Sequence, residues 1–288
     1  MARVPEMTFC APKRPASPTA AEMKANAGVG TRFSLENKYA LVTGGARGLG
    51  LAIAKGFLEH GSPKVALFDV DQEQGDAAVD ELRTIHPEPS TRIVFKSVDV
   101  TDAEALAVAV QETAEDFGAI HVLATFAGIV NSVRAIDYTA ETFSRLLDVN
   151  TTGTFLAAQA VGKEMINRKT GGSIILTASM AGHIVNYPQT HVAYGTCKAA
   201  VHHMARCLAA EWASYGIRVN SLSPGYMDTR LNASEDLTDV LPIWYERTPM
   251  GRMGDTNEIV GPVVLLASPA GSFMTGADLK VDGGYTLF

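Results

Sequence analysis

From Lys38 onward, short runs of apolar and β-branched residues alternate with longer stretches whose apolar positions recur at helical spacing. Short apolar runs bounded by turn residues read as strands buried on both faces, and the longer stretches read as helices with one apolar side. This pattern predicts strands at Tyr39–Thr43, Lys64–Asp69, Arg92–Val98, His121–Thr125, Ser173–Thr177, Ile217–Leu222 and Asp278–Val281. Helices are predicted near Leu49–His60, Gln72–Ile85, Ala103–Phe117, Ala140–Asn167, Val192–Tyr215 and Asn257–Ala267. Regular alternation of this kind means βαβ units. The expected fold is α/β: a doubly wound, parallel, seven-stranded sheet with helices on both faces, a Rossmann fold. No linker interrupts the series, so residues 34–288 read as a single domain.

Residues 1–33 differ in composition, with Pro5, Pro12, Pro15, Pro18, Gly28 and Gly30 and few large apolar side chains. They read as a flexible or partner-clasping arm. Arg3, Lys13 and Arg14 raise the alternative of a mitochondrial presequence, against which stand Glu6, Glu22 and the prolines.

Composition narrows the function. The net charge of −7 leaves no basic excess to neutralise phosphates, which argues against a nucleic-acid partner. A content of 47% hydrophobic and 19% charged residues fits a homo-oligomer, a dimer or tetramer. Cys10, Cys197 and Cys207 show no metal-ligand spacing, so no metal is expected and a reduced, cytoplasmic setting is. No apolar run has the roughly 18–20 residues that would cross a membrane, so no membrane partner is expected either.

Candidate chemistry begins where the first strand runs into Thr43-Gly-Gly-Ala-Arg-Gly-Leu-Gly50. Gly44, Gly48 and Gly50 permit a tight turn and a close backbone approach to a pyrophosphate at a helix N-terminus, with Arg47 and Leu49 between them. Asp69 closes the second strand, 25 residues after Gly44. A carboxylate there accepts hydrogen bonds from ribose hydroxyls and repels a 2′-phosphate, favouring NAD over NADP. Arg47 pulls toward the phosphate unless it pairs with a carboxylate such as Asp71. Asp99, before Val100, could accept from an adenine amino group, and Thr101 or Asp102 reads as a helix N-cap. Ala127 and Gly128 follow the fourth strand, where a cofactor could pass close to the backbone, although a tight turn explains them equally well.

Asn150 is an amide inside an apolar helical pattern and must find partners, in a structural network or a water chain. Ser179 follows the fifth strand, at the sheet edge where open α/β folds bind ligands. Fifteen residues later come Tyr194 and Lys198, four apart and hence on one helical face. An ammonium beside a phenol favours the phenolate and lowers its pKa toward that of a general acid or base.

These residues together resemble the short-chain dehydrogenase/reductase superfamily, from about residue 36 to the C-terminus. The resemblance rests on TGGARGLG, Asp69, Asp99-Val100, Asn150, Ser179, Tyr194/Lys198, the run Arg218–Gly225 and Thr229. It implies that Tyr194 passes the proton, Lys198 tunes it and holds the nicotinamide ribose, Ser179 binds the reacting oxygen, and Asn150 anchors a water relay. It also implies that Pro224, Gly225 and Thr229 meet the nicotinamide carboxamide, and that the cofactor is NAD rather than NADP. One departure is Phe126 where the family has Asn, which puts local packing in question.

Substrate contacts are expected from His183, Asn186, Tyr187 and Gln189 before Tyr194, and from Tyr226, Leu231 and Trp244 after Pro224. Clustered amide, imidazole and phenol groups suggest a polar, hydroxyl-rich small molecule, although each alone could be a solvated loop residue. Asn186-Tyr-Pro-Gln, Pro-Gly-Tyr226-Met-Asp-Thr229 and the ending Gly276–Tyr285 resemble fungal polyol dehydrogenases and ketose reductases of the mannitol, arabinitol and sorbose type. The alternatives are a ketoreductase for a more apolar metabolite or steroid, and a catalytically silent dinucleotide sensor.

Overall fold

Successive residues of a strand face opposite sides, and two separate hydrophobic cores follow that alternation. Along Tyr39–Thr43 (β1) and Lys64–Asp69 (β2), Ala40, Val42, Val65 and Leu67 enter one core, while Leu41, Ala66 and Phe68 enter the other. The first core is closed by helices α1 (Gly48–Glu59), α2 (Gln72–Ile85) and α8 (Val260–Ala267). The second is closed by α3 (Ala103–Phe117), α5 (Thr154–Asn167) and α6 (Val192–Trp212). Helices therefore cover both faces of the sheet, as the sequence pattern predicts. This computed structural model describes residue 7 and residues 28–229 and 239–288.

With β3 (Arg92–Ser97), β4 (Val122–Thr125), β5 (Gly172–Thr177), β6 (Ile217–Pro224) and β7 (Asp278–Val281), the sheet has the order β3-β2-β1-β4-β5-β6-β7. Every neighbouring pair is parallel. The order reverses between β1 and β4, and the crevice beyond their carboxyl ends is where such sheets bind ligands.

Local chemistry explains the well-matched boundaries. Asp71 caps α2 by accepting from the Gln74 amide, Asp102 caps α3 by accepting from Glu104 and Ala105, and α3 stops at Gly118 with φ +89°. Two expected helices are interrupted. The stretch Ala140–Asn167 is α4 (Ala140–Leu147), a π-helical turn Asp148–Gly153 and then α5. The C-terminal helix starts later than expected, after a 3-10 turn Thr256–Ile259 closed by an Asp255/Glu258 capping box. The short helix α7 (Leu241–Arg247) was not expected.

Most of the proposed arm lies outside the described residues. Of its last six residues, 28–33, a single turn Val29–Phe33 is helical, and Leu35 just beyond it is fully buried. Phe126, in the position of the family asparagine, packs against the first core. There the strand ends are tied instead by threonine hydroxyls. Thr43 Oγ1 accepts from the Ala127 amide at 3.4 Å, and Thr125 Oγ1 accepts from the Thr177 amide at 3.2 Å.

Candidate active site

The glycine turn sits at the reversal of strand order. Gly44 has φ +66°, and a Cβ on it would lie 2.5 Å from the Ala127 nitrogen; a Cβ on Gly50 would lie 2.0 Å from the Gly44 carbonyl oxygen. Only glycine allows the two backbones to approach this closely. No side chain caps the N-terminus of α1, and no acid stands in its first turn, so its amides and dipole are free for an anion. Leu49 packs against the first core. The turn therefore fits the pyrophosphate of a dinucleotide.

Asp69 lies beside this turn. Its Oδ2 accepts from the Ala46 amide at 3.3 Å, and its Oδ1 from the amides of Val70 and Asp71 at 2.8 and 3.3 Å. These bonds fix the carboxylate and still leave lone pairs for further donors. Arg47 reaches Asp71 instead, at 3.8 Å, in an exposed pair. Asp99 accepts from the amide and hydroxyl of Thr101 at 2.9 and 2.8 Å, which hold its carboxyl below the usual range. Val100 is buried.

The π-helical turn carries Asn150, which is fully buried. Its Nδ2 donates to the carbonyls of Leu146 and Ile129 at 3.0 and 2.9 Å, and its Oδ1 accepts from the Ile129 amide at 3.2 Å. Gly128 makes room for it, since a Cβ there would lie 2.7 Å from Asn150 Oδ1 and 3.9 Å from Lys198 Nζ.

Ser179 caps the turn after β5, accepting from the Ala181 amide at 3.1 Å, and its hydroxyl lies close enough to the Tyr194 phenol to influence its pKa. Tyr194 packs its ring with Leu146, Ala193 and Cys197, and its catalytic-type partner Lys198 lies one turn on, almost fully buried. The structure thus brings together all four residues singled out as catalytic, but the electrostatics differ from expectation. Lys198 Nζ sits 5.6 Å from the Tyr194 ring centroid and donates to the Thr177 carbonyl at 2.7 Å. Burial lowers its pKa from an ordinary 10.5 to about 8 and raises that of Tyr194, with the nearby Ser179 hydroxyl opposing the rise. The expected lowering by the ammonium does not appear; desolvation sets the direction. Sequence reasoning missed the Thr177 carbonyl, and also His191, whose ring stands edge-on 5.8 Å from Tyr194 and which burial makes less basic.

Among the expected substrate residues, four form one network. Gln189 Oε1 accepts from Tyr226 Oη at 3.1 Å and from Trp244 Nε1 at 3.2 Å, and Asn186 Nδ2 donates to Tyr226 Oη at 3.3 Å. Tyr226 stacks on the buried Trp244 with centroids 3.8 Å apart, and burial raises its pKa. Asn186 is buried, yet its Oδ1 has no hydrogen-bond partner among the described residues. His183 is not part of this group. Its Nε2 turns to Asp278 at 2.9 Å and Ser223 at 3.2 Å, because an imidazole at the end of this turn finds a buried carboxylate there. Tyr187 is exposed, and Leu231 lies outside the described residues. Pro224 ends β6, the Gly225 amide donates to the Val281 carbonyl at 2.9 Å, and Thr229 is the last residue described in that loop. Tyr285, not foreseen, packs edge-on against Tyr226 at 5.3 Å.

A dinucleotide cradle at the switch point, with a phenol, a serine hydroxyl and a buried lysine beside it, belongs to oxidoreductases that exchange hydride with alcohols and ketones. Comparison with known proteins makes the class specific. A family model described as enoyl-(acyl carrier protein) reductase matches residues 44–286. The galactitol 2-dehydrogenase (L-tagatose-forming) of Cereibacter sphaeroides is 40% identical over 90% of this chain and 98% of its own. The NADP-dependent mannitol dehydrogenase of Hypocrea jecorina is 37% identical over 88% of this chain and 94% of its own. Among solved structures, an NAD⁺-bound xylitol dehydrogenase superposes with a TM-score of 0.80 at 35% identity, over 87% of this chain and 99% of that one. The chain belongs to the short-chain dehydrogenase/reductase family, and is a nicotinamide-dependent oxidoreductase acting on the CH–OH group of a secondary alcohol or its ketone. No helix among the described residues is long and apolar enough to cross a membrane.

Proposed function

We propose that this chain is an NAD-dependent polyol dehydrogenase that interconverts a sugar alcohol, such as arabinitol or mannitol, and its ketose. The observation that carries the chemistry is Tyr194 with the Ser179 hydroxyl beside it and the buried Lys198 one helical turn on, its Nζ 5.6 Å from the ring centroid. The nicotinamide, when bound, supplies or accepts the hydride. Tyr194 Oη gives its proton to the substrate oxygen in reduction and takes it back in oxidation. Its raised pKa keeps the phenol protonated near neutrality, the form that reduction needs. Ser179 Oγ hydrogen-bonds the reacting oxygen and aligns it with the phenol. Lys198, with two N–H groups beyond the one given to Thr177, holds the nicotinamide ribose and stabilises the phenolate during oxidation. Asn150 keeps the π-helical turn and the Ile129 backbone in place beside them, and anchors the proton relay from Lys198 to solvent.

Gly44, Gly48 and Gly50 would cradle the pyrophosphate, while Asp99, Val100, Ala127 and Gly128 would flank the adenosine and ribose. Pro224, Gly225 and Thr229 would meet the carboxamide. The preference for NAD rests on Asp69, fixed beside the glycine turn, and on Arg47 being directed to Asp71. Asp69→Ser is expected to raise the NADP/NAD ratio of kcat/KM by about tenfold or more, equivalent to ~1.4 kcal/mol. An unchanged ratio in initial-rate assays would assign the choice to another group.

The polyol reading rests on the network of Asn186, Gln189, Tyr226 and Trp244, and on the similarity to dehydrogenases of galactitol and mannitol. A buried acceptor without a partner among the described residues, Asn186 Oδ1, suits a substrate hydroxyl and penalises an apolar substrate. Asn186→Leu is expected to lower kcat/KM for a polyol by about tenfold, and to leave a simple secondary alcohol nearly unaffected. Equal losses on both substrates would remove Asn186 from substrate recognition. The free thiols Cys197 and Cys207 fit a cytoplasmic enzyme, and the apolar composition fits a homodimer or tetramer. Val201 and Leu208, however, are spent on the second core rather than on an interface.

A further inference from the structure

His183, His202 and Asp278 come from three different elements and play no part in the proton transfer described above. His183 follows the turn after Ser179, His202 lies one helical turn beyond Lys198 on α6, and Asp278 opens β7 opposite Ser221. One ligand atom from each lies within 4.8 Å of the others. His183 Nε2 is 2.9 Å from Asp278 Oδ2, His202 Nδ1 is 3.5 Å from Asp278 Oδ1, and the two imidazole centroids are 4.6 Å apart. The hydroxyls of Ser221 and Ser223 donate to Asp278 Oδ1 at 2.6 and 2.8 Å, so the carboxylate is held in one orientation.

We infer that His183 Nε2, His202 Nδ1 and the Asp278 carboxylate form a binding site for a single zinc-type dication, which fastens the turn after Ser179 to α6. Two imidazoles and a carboxylate are a donor set for such ions rather than for Mg²⁺ or Ca²⁺, which prefer all-oxygen surroundings. With metal–ligand bonds of about 2.0–2.2 Å, tetrahedral ligands stand roughly 3.4 Å apart, so adjustments of about an ångström complete the site, with water as the fourth ligand. One group competes. Arg206 Nη2 lies 2.8 Å from His202 Nε2, and that nitrogen must carry the ring proton once Nδ1 binds metal. Arg206 is exposed and can turn to solvent, so it weakens the site without blocking it.

The test is thermal unfolding of the chelator-treated full chain with Zn²⁺ or Mg²⁺ added. Zn²⁺ is expected to raise Tm by about 5 °C and Mg²⁺ to leave it unchanged. The rise should vanish in His202→Ile and be at least as large in Arg206→Ala. No rise in the wild type, an equal rise in His202→Ile, or a smaller one in Arg206→Ala overturns the proposal. A readout on the wild type alone covers a variant that does not fold. Co²⁺ should give the visible absorption of tetrahedral coordination, bleached by Zn²⁺, and a spectrum like that of Co²⁺ in water overturns it equally.

Discussion

Tyr194→Phe is expected to lower kcat by about a hundred- to ten-thousand-fold, the range that a positioned general acid or base supplies. The phenyl ring keeps its packing with Leu146, Ala193 and Cys197, and Lys198 keeps its bond to the Thr177 carbonyl, so only the hydroxyl is lost. Cofactor affinity, followed by fluorescence titration, should therefore stay within about twofold of the wild type, and thermal stability should hardly change. A variant that turned over at the wild-type rate would move the proton to another group. His191, edge-on to the same ring, would be the first to examine.

Gly50→Ala is expected to weaken cofactor binding by about ten- to a hundredfold, as for an overpacking strain of ~1–3 kcal/mol. The added Cβ would meet the Gly44 carbonyl at 2.0 Å for oxygen and 2.8 Å for carbon, backbone atoms that no rotamer change can move away. The turn must open, and with it the cradle between β1 and β4. Gly48→Ala provides the control. Its Cβ would point into open space, leaving only the strain of φ +55°. Calorimetric titration with NAD should separate the two variants, and equal affinities would mean that the turn does not carry the cofactor.

Much of the architecture is written in local signals. β1, β2 and β7 have the predicted limits because their apolar runs end at turn residues, and α2 and α3 do because Asp71 and Asp102 cap them. The π-helical turn around Asn150 is not written this way, since one wider turn scarcely changes an apolar spacing of three and four. The four residues Asn150, Ser179, Tyr194 and Lys198 are recognisable from their order along the chain, but their electrostatics depend on burial, which the sequence does not display. Burial is why Lys198 falls to about 8 and the Tyr194 pKa rises. His183 illustrates the same limit. It stands in sequence among the substrate candidates, yet its partner Asp278 lies 95 residues away, brought close only by the pairing of β7 with β6.

NAD-linked oxidation of a polyol can be measured on the purified chain in one experiment. The readout is the rate of cofactor reduction over a panel of polyols, simple secondary alcohols and steroid alcohols, each with NAD and with NADP. The highest kcat/KM is expected for a polyol with NAD. Polyols that are uniformly inert while steroid alcohols turn over would contradict it.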